Sequence, residues 1–185
     1  MRIGLWTVVV LAVEITASAA GAQQPMQDTM PGMQMGHDRA AMAKPAVPTG
    51  VLRLTFDGKS TDWTLAQLAA LPHKTITVFN SHAKANQTYS GVPLMDLLAK
   101  AGVPTDLHGH DLALYLAAVG SDGYIAAYAV AEVNPLTHEG AVLVADAMDG
   151  RPLGTTGPLM MVDSGDKKPS RWVRNLVQVK VQTAQ

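Results

Sequence analysis

Three Asp-Gly pairs, at 57–58, 122–123 and 149–150, punctuate this chain between short apolar or alternating runs. Asp-Gly supplies the positive backbone angles of a tight reversal, so runs on either side fold back as antiparallel neighbours. Around these turns the pattern predicts strands over 51–56, 74–79, 112–119, 124–130, 141–147, 159–162 and 176–181. Helical signals are few and short. Thr64 is a candidate N-cap for a helix with Leu65, Leu68 and Leu71 inward, stopped by Pro72. Gly91-Val92-Pro93 opens a second helix with Leu94, Leu97 and Leu98 on one stripe and Gly102 as its stop, and Val130–Asn134 makes one helical turn. The polar stretch 80–90 reads as a loop. Many short strands with two or three short helices define an α+β domain of mixed, mostly antiparallel, multi-layer β structure over residues 50–183, not a βαβ array.

The N-terminus is organised differently. Arg2, the apolar run Leu5–Val13 and the small residues Ala20-Gly21-Ala22 match a cleavable signal peptide over residues 1–22. The run is too short to span a bilayer, which takes about 20 apolar residues. Export to the periplasm or medium is therefore expected, with no stable membrane anchor after cleavage. Residues 23–49 form a Met/Pro/Gln-rich flexible arm without a lasting period. The chain has no cysteine, so disulfides, thiolate nucleophiles and sulfur-ligated zinc or iron are excluded. With a formal net charge of −1, it does not read as a nucleic-acid binder. Signatures of other enzymes (G-x-S-x-G, H-E-x-x-H, a Gly-rich nucleotide loop) are missing.

Some residue groups carry chemistry. Lys167, Lys168, Arg171 and Arg174 follow Gly165 and flank Pro169, where free backbone N–H groups and positive charge suit a phosphate-like anion; the alternative is a solvated basic turn with Trp172 as a core plug. Asp122-Gly123-Tyr124 either presents a carboxylate and a phenol at a pocket mouth or is a plain hairpin turn. His108 and His110 lie on one side of an extended segment, as a metal pair or as an exposed loop. In the arm, Met30, Met33, Met35 and His37, with Met26 and Met42 nearby, offer soft donors for Cu(I), against the reading of a linker of biased composition.

An ordered set of segments over 51–182 resembles the oxidoreductase molybdopterin-binding domain of sulfite oxidases and their small exported relatives. It comprises L-A-A-L-P at 68–72, Y-S-G-V-P-L-M-D-L-L-A-K-A-G-V at 89–103, S-D-G-Y at 121–124, V-L-V-A-D-A-M-D-G-R-P-L at 142–153, G-P-L-M-M-V at 157–162 and R-W-V-R-N-L-V-Q-V-K-V at 171–181. The resemblance implies the sulfite oxidase-like fold and a pocket that binds a molybdopterin-type cofactor or another small anionic ligand, with a periplasmic redox partner. In that pocket Lys167, Lys168 and Arg171 would hold phosphate, Asn80 or His82 would face the metal, and Asp122, Gly123 and Tyr124 would orient substrate. The departure is equally specific. Catalytic members carry a metal-ligating cysteine after the strand that here ends at Val78-Phe79-Asn80-Ser81-His82, and no sulfur donor stands there. The second reading is therefore a non-catalytic binding or interaction module, with copper handled by the arm.

Overall fold

A computed structural model describes residues 47–184; the expected signal peptide and the arm as far as residue 46 lie outside the described residues. β1 (Val51–Phe56) and β2 (Lys59–Thr64) form a hairpin closed by Asp57 and Gly58, with φ of 49° and 72°, the left-handed pair of a type I′ turn. The sequence pattern did not mark β2, because K-S-T-D-W-T is an exposed edge strand in which only Trp63 is half-buried. Helix α1 (Leu65–Ala69) starts where Thr64 caps it: the Thr64 hydroxyl accepts from the Gln67 amide, and the Gln67 side chain accepts from the Thr64 amide.

β3 (Lys74–Asn80) turns through residues 81–84 into β4 (Ala85–Pro93), which leads directly into α2 (Leu94–Lys100). The expected loop over 80–90 is thus mostly strand. Its polar residues alternate along a ribbon whose one face is solvated, and their backbone groups are taken up by β3 and β7, so hydrophobic periodicity carried no signal. A 3₁₀ turn precedes β5 (Leu114–Gly120); β6 (Ile125–Ala129) and α3 (Val130–Val133) follow. β7 (Val142–Met148) reverses at Asp149-Gly150 into β8 (Arg151–Pro152); then come β9 (Met160–Asp163), a 3₁₀ turn at Pro169–Arg171, β10 (Val173–Arg174) and β11 (Leu176–Thr183).

Two sheets result. The first has the order β2-β1-β11-β5-β6, with β1 and β11 parallel and the other pairs antiparallel. The second is antiparallel throughout, in the order β10-β9-β7-β4-β3, with β8 attached to β7. The main core joins inward residues of both sheets (Leu54, Leu116, Val144, Met161, Val179) to the buried stripe of α2, Leu94, Leu97 and Leu98. Alternation along β7, β9 and β10 sends the intervening side chains to the opposite face of the second sheet. There Tyr89, Ala145, Leu153, Met160, Val162 and Trp172 form a smaller cluster.

Candidate functional site

The second cluster leads to the site. Trp172 packs edge-on against Tyr89, with ring centroids 5.5 Å apart, and its indole N–H donates to the Asp163 carbonyl at 3.1 Å. The turn that delivers Trp172 is held from β6. Tyr124, at the end of the β5–β6 turn, and Tyr128, within β6, lie four residues apart and both reach the same turn. Tyr124 Oη donates to the Ser170 carbonyl, and Tyr128 Oη to the Arg171 carbonyl at 3.2 Å. The β5–β6 reversal is equally fixed: Gly123 donates to the Gly120 carbonyl, Gly123 itself has φ 87°, and Asp122 Oδ1 accepts the Tyr124 amide at 2.9 Å. A β-carbon at Gly120 would lie 2.8 Å from the Arg174 carbonyl, so the two sheets meet in backbone contact here.

These elements enclose an open cleft of about 300 Å³ lined by His82, Asp122, Tyr124, Pro169, Ser170, Trp172 and Arg174. His82 comes from the β3–β4 turn, Asp122 and Tyr124 from the β5–β6 turn, and the rest from the C-terminal hook. The cleft thus brings together His82, Asp122 and Tyr124 from the sequence-predicted set, with Gly123 shaping the turn. Arg174 is exposed and forms no ion pair among the described residues. The Trp172 floor and the Ser170 carbonyl had no sequence signal, since both depend on how the 169–172 turn docks on β6.

The other sequence-predicted residues are placed elsewhere. Asn80 is buried and fully engaged: Oδ1 accepts the amides of His82 and Ala83 at 2.9 and 3.3 Å, and Nδ2 donates to Gln87 at 2.7 Å. It shapes the turn that carries His82. Lys167 and Lys168 are exposed and do not line the cleft. Arg171 turns away into a carboxylate cage, 2.7 Å from Asp166, 3.3 Å from Glu132 and 3.6 Å from Asp163, with its guanidinium carbon 4.1 Å from the Tyr128 ring centroid. Hydrogen bonding to Asp166 raises its already high pKa further. Burial raises the pKa of Asp163, opposed by the Gly165 amide, and burial also pushes the Tyr128 phenol well above its usual range. His108 and His110 are exposed, and no cluster of three or more metal-binding side chains occurs among the described residues. Met30, Met33, Met35 and His37 lie outside the described residues.

One histidine without a sequence argument has defined partners. His73 Nε2 lies 2.9 Å from Asp146 Oδ2, and Nδ1 lies 2.8 Å from the Leu71 carbonyl. The Asp146 hydrogen bond raises the His73 pKa. A raised folded pKa adds stability fully below the unfolded value, about 6.5, and loses it as pH rises through the folded pKa. His73→Gln is therefore expected to lower the melting temperature most near pH 5, with the gap closing in mildly alkaline buffer. A gap independent of pH across melting curves would show that the ion pair is not its source.

No family model matches the chain, and no curated protein matches it. Among solved structures it is similar to the sulfane dehydrogenase SoxCD from Paracoccus pantotrophus, with a TM-score of 0.57 and 21% identity, over 75% of this chain and 40% of that one. The likeness is one of fold: α+β, two mostly antiparallel sheets and few short helices, in the sulfite oxidase-like arrangement. The chain spans 40% of the length of that relative.

Proposed function

We propose that this domain is an exported binding module that holds a small anionic ligand in the His82–Arg174 cleft, on a fold shared with molybdopterin oxidoreductases. Arg174 carries the reading: a guanidinium without a carboxylate partner beside an indole floor suits a carboxylate, sulfonate or phosphate group, the more so with His82 opposite. Asp122 faces the same space and favours a ligand that also brings a hydrogen-bond donor. At about 300 Å³ the cleft sits at the small end of ligand sites, which run to about 1,000 Å³.

A molybdenum cofactor does not fit these residues. No thiolate exists in the chain to ligate the metal. At the end of β3, Asn80 has both ends of its side chain engaged within the protein, and Arg171, the expected phosphate holder, is neutralised by three carboxylates. The module reading follows from these donors, and no redox step is assigned to the cleft.

The test is a titration of the purified protein with small carboxylates, sulfate and phosphate, with and without Arg174→Ala. Loss of a charge-assisted contact is expected to weaken the best ligand by about tenfold to a hundredfold, with Arg174→Lys intermediate. Stoichiometric molybdenum or pterin in the purified protein, or binding indifferent to Arg174, would overturn the proposal.

A further inference from the structure

Among the described residues β3 is the terminal strand of its sheet, and it lacks the devices that usually protect an edge. It is seven residues long, contains no proline, and has one charge, Lys74, at its extreme end. The other terminal strands differ: β2 carries Lys59 and Asp62, β10 has only two residues, and the last amide of β6, Ala129, is capped by Glu132 at 2.8 Å. On β3, Thr75, Thr77 and Phe79 are exposed, Phe79 at 59%.

The hydrogen-bond register tells which backbone groups point away from β4 and have no partner among the described residues. Thr88, opposite Thr77 on β4, spends its amide on the Asp149 carboxylate at 2.9 Å and its carbonyl on the Asp149 amide at 2.7 Å. Thr77–Thr88 is thus a non-hydrogen-bonded pair, consistent with their hydroxyls meeting at 2.9 Å. The N–H and C=O of Thr77 therefore point to the open edge, and by the two-residue period so do those of Thr75 and Phe79.

We infer that this edge pairs with the β3 edge of a second copy of the chain, antiparallel about a two-fold axis at Thr77. That register sets Thr77 against Thr77, Thr75 against Phe79 and Ile76 against Val78, so β-branched and aromatic side chains meet across both faces. The free groups of Thr75, Thr77 and Phe79 then bond reciprocally, and the two Lys74 ammonium groups stand at opposite ends of the joint, each against Asn80. Such an interface is isologous and closes at two, joining two sheets into one. It rests on the backbone register alone and is independent of the ligand in the cleft.

Sedimentation of the full mature protein over a concentration series tests this, together with amide exchange at Thr75, Thr77 and Phe79. A dimer is expected, with those amides protected more strongly as concentration rises. Thr77→Pro removes an edge-facing donor and leaves the β3–β4 ladder intact, and Phe79→Lys replaces the aromatic contact with Thr75 of the second copy by a hydrated charge on the edge. Each is expected to raise the dissociation constant about tenfold or more without lowering the melting temperature of the dilute, dissociated protein. If Thr77→Pro misfolds, Phe79→Lys alone decides. A monomer at all concentrations, a dimer unaffected by Phe79→Lys, or edge amides protected regardless of concentration, as when the arm of the same chain covers them, would each overturn the inference.

Discussion

Alanine at position 91 is expected to destabilise the protein by about 3 kcal/mol or more, a large part of the roughly 5–15 kcal/mol that a domain possesses. The added methyl would sit 2.2 Å from the Val144 carbonyl oxygen and 2.4 Å from the Ala145 α-carbon. Both are backbone atoms of β7, and β7 is held on its other side by β9, so it cannot withdraw. The register shifts between Ser90 and Gly91, which lets the chain pass from a half-solvated ribbon into the buried run leading to α2. Gly58→Ala is the proper control. Gly58 has positive φ, 72°, which Gly91 does not, and nothing lies within 4 Å of a β-carbon at Gly58. Its expected loss is about 1–2 kcal/mol of backbone strain. Urea unfolding of the two variants separates close approach from strain; a Gly91→Ala loss no larger than that of Gly58→Ala would show that the strands can part.

What was legible in the sequence was local. The Asp-Gly reversals, the Thr64 cap and the α2 stripe each depend on residues within one turn of each other, and each forms as read. The ordered motifs over 51–182 carried the fold, because a sulfite oxidase-like arrangement imposes its turns and apolar runs in a fixed order. What escaped were elements whose pattern is set by distant neighbours. β2 and β4 are polar because they are solvated on one or both faces, and only pairing with β1, β3 and β7 makes them strands. The same limit governs the site. The basic hook was visible as a run of charge, but the run could not show that Arg171 turns inward to Glu132, Asp163 and Asp166 while Arg174 turns outward. Those carboxylates lie between five and thirty-nine positions away. Likewise Asn80 looked free for a ligand until the β3–β4 turn claimed its side chain.

Arg171→Met is expected to open the wall of the cleft as well as to destabilise the fold. The arginine is the only cation among the described residues within ion-pair reach of Asp163, whose side chain is 2% exposed, and it also pairs with Asp166 and Glu132. Removing one partner from a buried cluster typically costs about 3–5 kcal/mol; with Arg171 38% exposed, solvent screening brings this to about 2 kcal/mol. The sign of the pH dependence follows from Asp163. Burial holds its folded pKa above the unfolded value, so its contribution is present at low pH and is lost as pH rises through the folded pKa. Arg171 offsets that loss by favouring the ionised form. Without it Asp163 is pushed higher still, and the deficit of the variant grows from acid toward neutral pH. Melting temperatures of both proteins across that range give the difference directly, and a deficit that shrinks toward neutral pH would count against the cage. The consequence for the cleft is separate and measurable. Glu132 anchors α3 through the Ala129 amide and grips Arg171 with its other oxygen, while Tyr124 and Tyr128 hold only the carbonyls of the 169–171 turn. Loss of the guanidinium leaves that turn on two phenol hydrogen bonds, so Trp172 fluorescence is expected to report a wetter, looser floor before global unfolding begins.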